Sequence, residues 1–425
     1  MSDSLKILLV AHGLPPESVG GVEQHVEGLA RALHSLGHEV AVYCKTGREQ
    51  LRQGTLVSDP RERWPFPVTR VVYRHEGLSG LDSLYRVPEL DQAFTEFLRD
   101  KHFDVAHVHH LTGISTGVLE VLRAHGIPSV LTLHDYWLMC PRGQMWHRRG
   151  EICERVEPQR CADCLALTFG AWLPGSVGVQ SVSAVHASAL RTLASADRLV
   201  VPSARALAPF AALGLDTSRV AIVTNGVDTP ALQRLAPPGR KAGTPLRVGY
   251  LGTLIPSKGL DVLVDAIVSL PRGMVELAIH GNAVPYHGDE GFLTRVFGKL
   301  SPTDHVHYHG PYRTADLPAI LAEIDVVAAP ALWHEAFGLT VREASAAGRP
   351  VVVSRVGGLQ DAVADGIEGL VVSPGDKVAL AHALRRLAED PELVLAMSRR
   401  ARQRPRGFTA MANDLLAIYA ALLRA

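Results

Sequence analysis

The chain has 425 residues, 47% of them hydrophobic, and its 43 Lys+Arg balance 43 Asp+Glu to a formal charge of zero. That length supports two or three domains, and a balanced charge excludes a nucleic-acid-binding class, which needs a cationic footprint. No run of 18 or more apolar residues is present to span a bilayer, and five cysteines, an odd number, do not make a secreted disulfide framework.

In chain order, Met1 to Lys6 leads directly into an apolar run with no basic and apolar leader regions, so a cytoplasmic protein is expected. Lys6–Ala11 is predicted as a strand. Val22, Val26, Leu29, Ala30, Leu33 and Leu36 follow at helical spacing, and Gly37 stops that helix. Further strands are predicted at Glu39–Cys44, Phe103–His109, Ser129–His134, Arg198–Val201 and Val220–Val223. Leu165 to Leu190 carries no formal charge but holds Gly170, Pro174, Gly175 and Gly178, and reads as an apolar loop plus a short helix. With the arginine-rich stretch before it, this segment is a place for peripheral contact with a membrane face.

Thr229–Thr244 breaks the alternation with three prolines and two glycines and reads as a linker. A second alternation then starts. Its predicted strands are Arg247–Leu251, Val275–His280, Val306–His309, Val326–Ala329, Val351–Ser354 and Gly369–Val372, with helices at Lys377–Leu387 and Glu392–Gln403. Met411, Leu415, Leu416, Ile418, Tyr419 and Leu422 mark a last amphipathic helix. Alternation of this kind implies α/β architecture with two doubly wound, Rossmann-like parallel sheets. Ligands of such sheets bind at the carboxyl ends of the strands.

Glu335 and Glu343 stand eight positions apart, with Phe337-Gly338-Leu339-Thr340 between them. The first falls in a strand-to-helix loop and the second about one turn into the helix. Eight residues of helix rise about 12 Å, roughly the reach of a nucleotide-diphosphate sugar. One carboxylate can take ribose hydroxyls and the other sugar hydroxyls, while the helix N-terminus offers N–H groups and positive dipole to the diphosphate. Lys258, in Ser257-Lys258-Gly259 at a predicted helix start, suits a departing diphosphate.

The Glu-x7-Glu segment resembles the signature of the retaining glycosyltransferases of family 4. The likeness extends over almost the whole chain, through Gly20-Gly21, Asn225-Gly226-Val227-Asp228, Gly249-Tyr250-Leu251-Gly252, Ser257-Lys258-Gly259 and Ser354-Arg355-Val356-Gly357-Gly358. It implies the GT-B fold, two facing Rossmann-like domains with a cleft between them. Residues 1–228 would form the acceptor domain, 229–245 the linker and 246–407 the nucleotide-sugar domain, with the helix 408–425 packing back on the first.

The resemblance also implies donor contacts from Gly20, Gly21, Gly252, Thr253, Lys258, Glu335, Phe337, Gly338, Leu339, Thr340 and Glu343. His134, at the end of a predicted strand, would touch the transferred sugar, and Lys258, Glu335 and His134 would carry the catalysis. Relatives often have an arginine where Thr253 stands, and a proline and glutamate where Gln360 and Asp361 stand, so the phosphate-binding details differ here.

The chain has no Asp-x-Asp pair of the sort that holds a cation on the diphosphate, which fits catalysis without a cofactor. His107, His109 and His110 read as packed residues. Cys140, Cys153, Cys161 and Cys164, spaced Cys-x12-Cys-x7-Cys-x2-Cys in a loop region, can supply four sulfurs to a structural zinc ion. The partners implied are a UDP- or GDP-sugar and a carbohydrate, lipid-linked or small-molecule acceptor. A sugar-nucleotide 2-epimerase and a non-catalytic nucleotide-sugar-binding protein share this architecture and stay open as alternatives.

Overall fold

Ile7 to Ala11 are five consecutive residues with no exposed surface, the pattern of a strand covered on both faces. They lie in β1 (Lys6–Ala11), near the middle of the first of two sheets in the computed structural model, which describes residues 4–48, 50–58, 64–241, 243–286, 289–301, 305–402 and 405–424. The same sheet holds β2 (Glu39–Thr46), β3 (Leu56–Val57), β4 (Val68–Val72), β5 (Val105–Val108), β6 (Ser129–Thr132), β7 (Arg198–Val201) and β8 (Val220–Ile222). Their order is β3-β4-β2-β1-β5-β6-β7-β8, and all neighbours are parallel except β3 with β4.

The second sheet has β9 (Leu246–Leu251), β10 (Val275–His280), β11 (Val306–Gly310), β12 (Val326–Ala329), β13 (Val351–Ser354) and β14 (Gly369–Val372), ordered β11-β10-β9-β12-β13-β14 and parallel throughout. The chain divides into two compact units. One comprises Met1–Arg149, Cys153–Gly226 and Gly407–Ala425; the other comprises Gly150–Ile152 and Val227–Arg406. In both sheets chain order reverses beside the first strand: between β1 and β5, and between β9 and β12. Those reversals are the topological switch points at which doubly wound sheets bind ligands.

The first unit has its core between β1, β2, the helix Gly21–Ser35 and the helix Phe408–Leu422. Val26, Leu29 and Leu33 from one helix meet Met411, Leu415 and Tyr419 from the other. Close approach of these helices requires Gly28, where a Cβ would stand 2.2 Å from the Phe408 ring. Each fully buried leucine or valine here is worth roughly 1.5–3 kcal/mol. Tyr419 also reaches His107 on β5, with 2.5 Å between its hydroxyl and Nδ1, while His107 Nε2 lies 2.7 Å from the Thr132 hydroxyl. The second core joins Leu246, Val248 and Tyr250 of β9 to Leu260, Leu263, Val264 and Ile267 of the helix Leu260–Val268.

Two segments are more ordered than their sequence suggests. Residues 165–190 form no long loop: they complete the helix Pro158–Phe169 and enter the helix Val179–Ser195. Val182, Val185, Ala189 and Leu193 bury one stripe of the latter, and this i, i+3, i+7, i+11 pattern outweighs the glycines before it. Residues 229–244 begin with the helix Thr229–Gln233 and stay against the second unit. Their irregular carbonyls are met by arginines: Arg349 donates to Ala236 at 2.9 Å, and Arg402 to Gln233 at 3.0 Å. No helix among the described residues is long and apolar enough to cross a membrane.

Candidate active site

At the switch point of the second sheet, the loops after β9 and β12 meet. The Leu332 amide donates to the Ser257 carbonyl at 2.8 Å. Lys258 does not begin the following helix. It closes a short 3-10 turn, Pro256–Lys258, because Gly259 takes a left-handed conformation, φ +73°, before Leu260 starts the helix. A Cβ on Gly259 would lie 2.0 Å from the Pro330 carbonyl oxygen, so only glycine allows the two loops this approach. Lys258 Nζ consequently reaches Glu335 Oε2 at 2.5 Å and sits 4.9 Å from the centre of the Trp333 ring.

The backbone of Glu335 is braced from the next loop. Gly358 donates its amide to the Glu335 carbonyl at 2.6 Å, and Gly357, at φ +45°, leaves no room for a side chain beside it. Gly338 is left-handed, φ +77°, and caps the helix Leu339–Ala346. The first-turn amides of that helix, Leu339 and Thr340 among them, lack intrahelical acceptors and carry its positive dipole. Phe337 is buried, and Arg342 lies over its ring at 3.8 Å while donating to its carbonyl at 2.8 Å. Glu343 is 7% exposed. Burial, with Asp228 adding repulsion, pushes its carboxyl up to about 7.

Gly252, at φ +140°, and Thr253 open the loop after β9. Lys258, Glu335 and the turn Phe337–Thr340 therefore gather around one switch point. Glu343 follows one helical turn later.

Gly20, Gly21 and His134 belong to the first unit. Gly20 precedes the helix Gly21–Ser35 in extended conformation, and a Cβ there would stand 2.6 Å from Glu23 Oε2. The space beside this glycine is thus filled by a carboxylate that sequence reasoning did not single out. Ser18 donates its hydroxyl to Glu23 at 2.5 Å, and His12 Nε2 lies 3.3 Å away. Burial opposes the charge on Glu23, but the hydrogen bonds from His12 and Ser18 prevail and hold its carboxyl well below the ordinary range.

His134 Nε2 lies 3.1 Å from His109 Nδ1, and His110 Nε2 lies 3.2 Å from Asp135 Oδ2. His25 packs on both His109 and His134, with ring centres 5.1 and 4.6 Å away. Both ring nitrogens of His25 are buried without a hydrogen-bond partner. Burial pushes His25 and His107 down to about 3, and with neighbouring histidines it holds His109 and His134 well below their ordinary value, which favours the uncharged rings. A small, half-open pocket at these strand ends is lined by His109, His110, Thr132, His134, Asp135 and Trp137.

His107 is a packing residue, as its bonds to Tyr419 and Thr132 show. His109 and His110 are instead tied to His134 and Asp135. One signal could have found this group: His12, His109 and His134 each stand at or just beyond the end of a buried strand. Neighbouring parallel strands bring such positions to one sheet edge.

A family model described as Glycosyltransferase Family 4 matches residues 19–230, and one described as Glycosyl transferases group 1 matches residues 234–404. The D-inositol 3-phosphate glycosyltransferase of Corynebacterium efficiens is 30% identical over 73% of this chain and 75% of its own. The chain belongs to the family 4 glycosyltransferases. Glycogen synthase of Mycobacterium tuberculosis is 26% identical to this glycosyltransferase over 94% of the chain and 90% of its own. Among solved structures, sucrose-phosphate synthase from Thermosynechococcus elongatus superposes with a TM-score of 0.74 at 21% identity, covering 99% of both chains. Anabaena HepE, solved with UDP-glucose, superposes at 0.69 with 18% identity, covering 98% of this chain and all of its own. The two parallel sheets are therefore those of a GT-B glycosyltransferase.

Proposed function

We propose that this glycosyltransferase moves a sugar from a UDP- or GDP-sugar to an acceptor hydroxyl with retention of anomeric configuration. The observation that carries the reading is the Lys258–Glu335 pair at the switch point, beside the N-terminus of the helix that bears Glu343 one turn in. In this reading Glu343 takes the ribose and Glu335 the sugar hydroxyls. Lys258 and the amides of Phe337 to Thr340 hold the diphosphate. His134 orients the sugar, and the first unit carries the acceptor.

The bond from the anomeric carbon to the phosphate oxygen breaks while one to the acceptor oxygen forms. The acceptor's proton passes to the departing diphosphate, so no protein base is needed. Lys258 acts by stabilising charge that grows on the leaving oxygen. HepE, solved with UDP-glucose, supports a nucleotide-sugar donor, and the inositol-phosphate relatives support a hydroxylated acceptor.

The test is incubation with UDP-, GDP-, ADP- and dTDP-sugars and a set of sugar and lipid-linked alcohols, following nucleoside diphosphate release and product anomer by NMR. A product of inverted configuration overturns retention, and conversion of the donor without acceptor marks an epimerase. Membrane contact rests on Leu167 and Trp172, 59% and 51% exposed beside buried Phe169 and Leu173. Unchanged flotation with anionic vesicles in Trp172→Ala would remove it.

A further inference from the structure

Four cysteines lie in the loop that follows β6 and on the helix Pro158–Phe169 that comes after it. Cys140 opens a turn in which the Gly143 amide donates to its carbonyl at 2.6 Å, with Gly143 left-handed at φ +78°. Cys153 returns to this turn, its amide donating to the Met145 carbonyl at 2.8 Å. Cys161 and Cys164 do not lie in a loop. They are three residues apart on the helix Pro158–Phe169 and so share a face. The Arg148 amide donates to Cys164 Sγ at 3.2 Å, and amides of Arg142 and Met145 bond to Cys140.

All four side chains are free thiols that act on one another: Cys153 feels Cys140, Cys161 and Cys164, and Cys161 feels Cys140 and Cys164. Burial raises the pKa of Cys140, Cys153 and Cys161, so without metal these side chains are thiols, and a divalent ion binds by displacing their protons. Four thiolates around a divalent ion leave two negative charges, and Arg142 and Arg160 stand close enough to offset them. Ordinary core packing does not account for the group, because only Cys164 of the four is buried.

We propose that Cys140, Cys153, Cys161 and Cys164 bind one zinc ion in a closed, structural site. Four sulfurs leave no open position for substrate, so the ion's work is mechanical. Cys140 donates its amide to the Tyr136 carbonyl at 2.8 Å, and Tyr136 donates to Gly143 at 3.1 Å. The metal thus clamps a turn that begins one residue after Asp135, the partner of His110.

A second group competes for the assignment. Among the described residues, His25, His109 and His134 bring three ligand atoms within 4.8 Å of one another, a limit that no three of the sulfurs meet. Zinc binding at the cysteines therefore requires the thiols to rotate inward. The histidines are the poorer site nonetheless. His109 and His134 already pair with each other, and His109 Nε2 has no acceptor to orient the ring as a ligating histidine needs.

The experiment is metal analysis of the full chain purified without added metal, followed by cobalt exchange. About one zinc per chain is expected, with the near-ultraviolet thiolate-to-cobalt band and visible bands of tetrahedral cobalt. Cys161→Ser with Cys164→Ser should abolish both, and a chelator should lower the melting temperature of the parent protein alone. Should that variant fail to fold, zinc content and the cobalt spectrum of the parent decide the matter. Zinc far below stoichiometry with all thiols reactive, or a disulfide among the four, overturns the proposal. So does a cobalt spectrum unchanged by the serine substitutions, which moves the metal to the histidines.

Discussion

Lys258 Nζ stands 2.5 Å from Glu335 Oε2, so the cation and the carboxylate assigned to the donor hold each other. Their side chains are 29% and 16% exposed, within reach of a ligand. In the proposed reaction a diphosphate takes Lys258 from Glu335 and frees the carboxylate for sugar hydroxyls. Binding at one end of the donor thereby prepares the other.

The pair should behave as a unit in kinetics. Lys258→Ala and Glu335→Gln are each expected to lower kcat by about 10²-fold or more, the size of losing one charge-stabilising group. The double variant should be little worse than either single one. Initial rates at saturating donor check this, and losses that simply multiply would show independent roles.

Glu343 should make stability depend on pH. Its carboxyl titrates near 7 in the folded chain against an ordinary 4.5, so the native state keeps the extra proton between those values. This contribution to stability is full below pH 4.5 and is lost as pH rises through 7. Glu343→Gln should remove the loss, leaving the variant more stable at pH 8 by up to about 3 kcal/mol and similar to the parent at pH 4.5. Urea unfolding at the two pH values measures it. If the ionised carboxylate accepts ribose hydroxyls, donor affinity should also strengthen as pH rises through 7, and calorimetric titration reads that directly.

Gly259→Ala should displace Lys258. The left-handed backbone and the Pro330 carbonyl 2.0 Å from the new methyl make a cost of about 2 kcal/mol or more. A lowered melting temperature together with a weaker donor Kd is the expected outcome. Full stability with unchanged affinity would show that the two loops do not depend on this contact.

Tyr419→Phe should destabilise the first unit by about 1–3 kcal/mol, because His107 Nδ1 would lose its partner inside the core. Thermal melts followed by circular dichroism test it, and an unchanged melt would mean the hydroxyl adds nothing to apolar packing.

Most of both sheets was legible because β1, β9 and β12 are short apolar runs bounded by glycines and polar residues, a local signal that survives folding. The residues around Lys258 and Glu335 were legible for the same reason, each lying just beyond such a run. β3 and β4 were missed, since Leu56–Val57 is only two residues long and Val68–Val72 carries Thr69 and Arg70 within it. The helix Val179–Ser195 was hidden by Gly170, Pro174 and Gly175, whose turn propensity stops before its buried stripe begins. Glu23, His25 and Asp135 were hidden for a different reason. Each is unremarkable in its own segment, and only the pairing of β1 with β5 and of β5 with β6 brings them beside His109 and His134. The departures at Thr253, Gln360 and Asp361 have no structural account beyond their loop positions.

The helix Phe408–Leu422 supplies Met411, Leu415 and Tyr419 to a core whose other buried members, apart from its own Ala412, lie between Ile7 and Val223. During synthesis, therefore, residues 4–226 emerge without part of their own interior. The second unit, Val227–Arg406, is fully made before that missing piece leaves the ribosome. The later-made unit can mature first, and the earlier one must wait, with apolar surface uncovered, for the helix Phe408–Leu422 to be translated.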